Sequence, residues 1–377
     1  MKGKQGLVCM GLLLVLSSCH TGKQITASGL QRKDFQTEVN GQHTDLFTLS
    51  NKQGMEVCIT NYGARVVSIL VPDRNGKRED VVCGFSTITE YMEQRQNFGS
   101  TVGRYIGRIL NARFTLDGVK YKLVPNNGKS GHISHGGNPG FADRIWKVEQ
   151  ADTHRVRLSY LSPDGENGFP GNLKVTLVYS LGEDDNALDL TYEATTDAPT
   201  VLNLSHHSFF NISGNFTKSV EDQQLWVDAD RFTPYDDKKC VTGEYLPVAG
   251  TPLDFRMPHT IGECIDADHP QLKVVNGYDH TWELNTKGDD TRPAAWVYDP
   301  ASGRKMEIFT TEPGMQIYTG NGLKGKMTGK GGIAYPFRSA VCFETMHFQD
   351  SPNQPGFPST VLRPGEVFRS HTVYKFE

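Results

Sequence analysis

The chain has no Cys-x-x-Cys pair, no apolar run long enough to span a bilayer, no block of like charges and no repeat of 20 to 50 residues. Each absence removes a class. Without paired cysteines a zinc ribbon or a dithiol redox motif is excluded, and without a repeat so is a solenoid or a propeller. The formal charge of −4 is spread along the chain, so nothing recommends a nucleic-acid partner. Helical periodicity is also scarce: the best case is a short turn at 87–94, which Ser86 or Thr87 can cap.

The one marked hydrophobic run, residues 7–16, follows Lys2 and Lys4 and ends at Leu16-Ser17-Ser18-Cys19. Ten apolar residues suit the core of an export signal and not a mature spanning helix. Leu-Ser-Ser-Cys resembles the lipobox of bacterial lipoproteins. That resemblance implies removal of residues 1–18, lipidation of Cys19, and an exported, membrane-anchored protein whose charge falls to −6 once Lys2 and Lys4 are gone. An ordinary secretory signal cut nearby is the alternative. Residues 19–34 are polar, lack apolar periodicity and read as a flexible tether; the folded part is expected from Phe35 to Glu377, with no composition break to mark a second domain. Cys58, Cys83, Cys240, Cys264 and Cys342 then remain. Five widely spaced cysteines in a long chain are expected to be mostly buried free thiols.

Period-two patterns dominate the chain beyond Phe35. Leu173, Val175, Leu177 and Tyr179 alternate with polar or small neighbours, as do Leu188, Leu190, Tyr192 and Ala194. Further strands are expected at 57–60, 66–71, 156–161, 225–227, 295–298, 306–310, 340–343 and 373–376. The 39 glycines and 19 prolines supply the turns such a chain requires. These patterns predict an all-β protein, a large antiparallel β-sandwich.

Chemistry concentrates in a few segments. Glu344 lies in an alternating stretch and is expected to share a face with Cys342, Met346 and Phe348, where an unpartnered carboxylate is costly. Ser134-His135-Gly136-Gly137 lets the backbone approach a ligand beside an imidazole, although one such motif is as readily a surface turn. Asn203-Leu204-Ser205-His206-His207-Ser208-Phe209-Phe210-Asn211 mixes polar and aromatic side chains, a pattern also given by satisfied core histidines. Asp279, in Gly277-Tyr278-Asp279-His280, is a companion carboxylate or simply a turn former. By themselves these residues reach only a β-sandwich with a polar, carbohydrate-compatible cleft. Two other patterns fail on context: Gly320-Asn321-Gly322-Leu323-Lys324-Gly325 opens no helix, so it is no dinucleotide fingerprint, and the pair His132 and His135 lacks a third metal ligand.

Read in order, Val102-Gly103-Arg104-Tyr105-Ile106-Gly107-Arg108-Ile109, His135-Gly136-Gly137, Asn203-Leu204 with His207, Gly277-Tyr278-Asp279-His280, Glu312-Pro313-Gly314-Met315-Gln316-Ile317-Tyr318-Thr319-Gly320-Asn321 and Phe343-Glu344-Thr345 resemble the aldose 1-epimerases, the galactose mutarotases. Asn353-Gln354-Pro355 and Leu362-Arg363-Pro364-Gly365-Glu366 extend the likeness to the C-terminus. The resemblance implies a sandwich of the galactose mutarotase type, a free aldose such as galactose or glucose as substrate, and interconversion of its anomers. By position it implies Glu344 as general base and His207 as general acid, His135 as a second imidazole near the ring oxygen, and Arg108 and Asp279 as holders of sugar hydroxyls. Gln316, Phe210 and Trp282 are further candidates to line the site.

No metal or cofactor is expected, since proton transfer at both ends of the ring suffices. A Glu near 4.3 is ionised at neutral pH and a His near 6.5 is partly protonated, which matches a base and an acid. Two positions depart from the family pattern: Gly107 stands where many relatives carry Asn, and His206, also often Asn, puts a second titratable group beside His207 and opens a shift in its pKa. A non-catalytic sugar-binding lipoprotein and an enzyme acting on glycosidic bonds are the competing readings.

Overall fold

The structure, a computed structural model, describes residues 24–377; the expected signal and Cys19 lie outside the described residues. Among the described residues no helix is long and apolar enough to cross a membrane.

Nine antiparallel strands form the larger sheet, in the order Lys147–Ala151, Arg155–Ser162, Leu173–Leu181, Ala187–Thr196, Phe368–Phe376, Lys305–Thr310, Ala295–Tyr298, Gln224–Val227 and His259–Thr260. Alternation explains which side is buried. Leu188, Leu190, Tyr192 and Ala194 point inward with Leu173, Val175, Leu177 and Tyr179, while Asp189, Thr191 and Glu193 remain partly exposed. A second antiparallel sheet runs Phe209–Phe210, Val341–Met346, Gly314–Tyr318, Asp279–Glu283, Arg231–Thr233 and Leu246–Pro247. Its inward residues Trp282, Met315, Ile317, Val341 and Phe343 join the same core. Two polar contacts cross between the layers: the Tyr374 hydroxyl donates to the Phe343 carbonyl at 3.0 Å, and the hydroxyls of Thr345 and Thr372 meet at 2.7 Å. A four-stranded sheet of Leu46–Ser50, Glu56–Thr60, Arg65–Pro72 and Arg78–Asp80 completes the main layers.

The short helix falls at Ile88–Gln94 with Thr87 as its cap: the Thr87 side chain accepts from the Glu90 N–H, and the Glu90 carboxylate accepts from the Thr87 N–H at 2.9 Å. Cys58, Cys83, Cys240 and Cys342 are buried, Cys264 is half-buried, and all five are free.

The stretch before Phe35 differs from the expected tether. From Gln24 onward it is docked on the domain: Ile25 bridges Gln31, Ala27 and Ser28 donate their N–H groups to Glu56 Oε1 at 2.7 and 3.2 Å, and Leu30 is buried. Arg32 then donates from Nε to Asp45 at 2.8 Å as Arg32–Phe35 closes a 3₁₀ turn. Polar composition hid this because backbone and carboxylate contacts, not an apolar stripe, hold the segment.

Candidate active site

The second sheet turns its outer face to a cleft of about 240 Å³. Strand parity places the polar groups there. In Val341–Met346 the odd residues enter the core and the even ones, Cys342, Glu344 and Met346, take the other side. Register then aligns Thr281, Gln316 and Glu344 in one row across three strands, with Asp279, Tyr318 and Cys342 in the next. Gln316 Nε2 donates diagonally to Asp279 at 2.6 Å and its Oε1 accepts from Thr281 Oγ1 at 2.5 Å. Phe348 lies beyond the strand and packs against Tyr245 and Phe357, so it is not on the face expected for it.

The opposite wall comes from three loops and short ribbons. His207 ends Ser205–His207, and its Nε2 stands 3.4 Å from Glu344 Oε1 while Cys342 Sγ lies 3.6 Å from its Nδ1. Phe209, two residues on and therefore on the same side, stacks on the His207 ring at 5.1 Å. Ser134 pairs with Arg108, which brings Arg108 and His135 into the cleft together. His135 donates its N–H to the Gly107 carbonyl at 2.9 Å, and its ring meets His207 edge-on at 5.5 Å. The next position must be glycine: a Cβ at Gly136 would lie 1.9 Å from the Gly103 carbonyl oxygen. Motif residues farther out hold this frame. Asn203 accepts from the His347 N–H and donates to the His347 carbonyl, while the Glu312 carboxylate takes His347 Nδ1 at 2.7 Å, clamping the chain just past Glu344.

Burial decides the charge states. Glu344 is only 4 % exposed, and desolvation, reinforced by Asp279, raises its carboxyl well above the usual range. Desolvation, reinforced by His135, lowers His207 well below the usual imidazole range. Asp279 is also pushed up by burial, against the pull of Arg108 and the Gln316 hydrogen bond. His135 falls to about 4 through burial and then Arg108. These shifts correct the expectation of an ordinary ionised Glu beside a half-protonated His. Burial thus biases both members of the pair toward their neutral forms, a protonated Glu344 and an unprotonated His207. Moving one proton across the 3.4 Å between Glu344 Oε1 and His207 Nε2 interconverts this neutral pair and the ionised base–acid pair.

Glu344, His207, Arg108, His135, Asp279 and Gln316 all line the cleft. Phe210 and Trp282 do not. Phe210 packs on Tyr374 in the sandwich interior, and Trp282 is fully buried there with its indole N–H on the Leu253 carbonyl; each is one residue out of phase with the cleft face. His206 likewise points inward, between Tyr179 and Tyr374, with Nε2 2.6 Å from the Ser208 hydroxyl, so burial holds it neutral at about 3 and its effect on His207 is secondary. His132 turns from His135 to Cys240, 3.2 Å away. Asn97, Phe209, Tyr318 and Gln349 also line the cleft. Phe209 and Tyr318 were readable from strand parity; Gln349, in a loop, was not.

Among the described residues, donor atoms of His207, Cys342 and Glu344 approach within 4.8 Å and could hold a cation. Desolvation keeps the Cys342 thiol well above its ordinary pKa, which opposes the thiolate a metal needs.

Comparison with known proteins places these features in a family. Residues 45–375 match the family model described as aldose 1-epimerase. Galactose mutarotase of Bos taurus is 40 % identical over 331 residues, 88 % of this chain and 93 % of that protein. Aldose 1-epimerase of Escherichia coli K12 is 36 % identical over 339 residues, 89 % and 96 % of the two chains. Among solved structures, an aldose epimerase homologue from C. elegans superposes with a TM-score of 0.81 at 31 % identity, covering 89 % of this chain and 99 % of the other. Galactose 1-epimerase from Lactobacillus acidophilus gives 0.78 at 28 %, covering 90 % and 96 %. A sandwich with this cleft, matched over nearly its whole folded length, belongs to the aldose 1-epimerase family.

Proposed function

We propose that the protein is an aldose 1-epimerase that interconverts the α and β anomers of free aldoses such as galactose and glucose. The observation that carries this reading is the His207–Glu344 pair, 3.4 Å apart at the base of a cleft also lined by Arg108, His135, Asp279 and Gln316. A volume of about 240 Å³ falls below the roughly 300–1,000 Å³ common for drug-sized ligands. It favours one sugar ring over an oligosaccharide.

In the proposed reaction Glu344 takes the proton of the C1 hydroxyl, the C1–O5 bond breaks with its electrons leaving on O5, and His207 protonates O5. An aldehyde results. Rotation about C1–C2 presents the other face of the carbonyl, O5 attacks it, and the two protons return by the same groups. Starting the cycle requires the shared proton on His207, and sugar hydroxyls donating to the Glu344 carboxylate would favour that form. Asp279, Gln316 and Arg108 hold the remaining hydroxyls, and His135, kept neutral, serves as an acceptor or donor beside the ring oxygen. No other co-reactant enters the balance.

The test is polarimetry on freshly dissolved α-galactose and α-glucose with the protein lacking residues 1–19. Equilibration faster than buffer for at least one sugar is the expected result. Binding without acceleration would replace this reading by a sugar-binding protein.

We further propose that the protein is an exported lipoprotein anchored through Cys19, on the strength of Lys2, Lys4, the apolar run at 7–16 and Leu16-Ser17-Ser18-Cys19. Expressed in a bacterial host with labelled palmitate, the full chain should take up label and fractionate with membranes. Cys19→Ala should take up no label; label persisting in that variant would sink the anchor assignment.

A further inference from the structure

Gly107 and Gln349 compete for one volume. Gly107 has φ +73°, and a Cβ there would lie 2.5 Å from Gln349 Cγ and 3.0 Å from its Cδ. Gln349 fills that space, is only 4 % exposed, and borders the cleft. Its Oε1 accepts the Arg108 N–H at 3.2 Å, and its Nε2 donates to the Tyr235 hydroxyl at 2.7 Å and to Gln316 Oε1 at 3.3 Å. Gln316 in turn donates to Asp279 at 2.6 Å. One amide therefore ties the Arg108 ribbon, a two-stranded pairing with Ile133–Ser134 among the described residues, to the strands bearing Gln316 and Asp279. These hydrogen bonds reach neither His207 nor Glu344.

We infer that Gln349 is a positioning residue for the substrate: it occupies the room that Gly107 leaves and fixes the separation of Arg108 from Gln316 and Asp279, and so sets the affinity for sugar hydroxyls. The inference rests on the proposed aldose site. Because the amide acts at the hydroxyl-holding end, its loss should weaken binding and leave proton transfer nearly intact.

The test is a variant cycle with galactose. Gln349→Ala should raise KM about 10-fold with kcat changed less than about 2-fold, the size expected for hydrogen bonds of ordinary strength. Gly107→Asn should also raise KM about 10-fold: Asn tolerates a positive φ better than other side chains, but its Cβ drives into Gln349. In the double variant the truncated residue 349 vacates the space for the new amide. Its KM should fall below that of both single variants, whereas independent sites would compound to about 100-fold. Native circular dichroism and thermal midpoints that stay above the assay temperature exclude a folding defect.

A wild-type KM in Gln349→Ala, or a double variant no better than the better single one, would overturn the inference. The cycle is read in parallel by calorimetric Kd for galactose. Wild-type binding without anomer interconversion would remove the epimerase reading and leave the cycle decisive through Kd; absence of both binding and turnover would overturn both.

Discussion

Glu344→Gln is expected to lower kcat by about 10² to 10⁴-fold, the contribution of one positioned acid–base group, with KM little changed. The substitution keeps size and one carbonyl oxygen near His207 Nε2, now 3.4 Å from the native carboxylate, but the amide cannot exchange a proton with the C1 hydroxyl. An interaction used only in the reaction shows as lost kcat and not lost affinity. Stability should move the other way. Burial and Asp279 raise the Glu344 carboxyl, so the folded chain resists ionising a group that the unfolded chain ionises freely above its ordinary pKa. Its folding contribution falls as pH climbs past that value. A neutral amide escapes this cost, and the variant should melt no lower than wild type at pH 8. Initial polarimetric rates and thermal melts check both halves; activity within 10-fold of wild type would remove Glu344 from the role of base.

The second large effect is acid sensitivity. Burial holds His135 at about 4, His206 and His280 at about 3, and His207 well below its ordinary value. All four are lowered, so below about 6.5 the unfolded chain binds protons that the folded chain refuses, and stability rises with pH across the window from about 4 to 6.5. Each such imidazole contributes a slope of up to about 1.4 kcal/mol per pH unit. Glu344 and Asp279, whose carboxyls are raised by burial, work in the opposite sense and offset part of this slope.

On the alkaline side His371 is raised to about 9 by Asp189 and Asp290, at 2.5 and 2.6 Å. Its contribution is complete below 6.5 and lost as pH rises through 9. The thermal midpoint should therefore peak between pH 6.5 and 7.5 and drop steeply below 6. Melts followed by circular dichroism from pH 4 to 9 read this directly, and a midpoint flat from pH 7 to 4.5 would contradict buried neutral imidazoles.

How much was legible in the sequence depends on where the information lies. Period two located the long strands, and it identified Glu344, Cys342 and Met346 as one face because parity is a local property. The same parity separates Phe209 from Phe210 and Asp279 from Trp282, so the misplaced aromatics were readable from His207 and Asp279 outward. Charge states were not, because they depend on how much of the fold closes over Glu344 and His207. Gln349 was hidden for a further reason: it lies past the strand that ends at Met346, and its value depends on a gap at Gly107 that only the tertiary fold brings opposite. The N-terminal contacts with Glu56 and Asp45 escaped in the same way.

Those N-terminal contacts set a working distance. A free tether from Cys19 to Phe35 could extend about 55 Å, but docking from Gln24 leaves five residue steps, about 18 Å at full stretch. With lipid on Cys19, as proposed, the leash to the membrane surface would be about a third of that of a free tether. Under that anchor, anomer interconversion would be confined to a thin layer at the membrane surface.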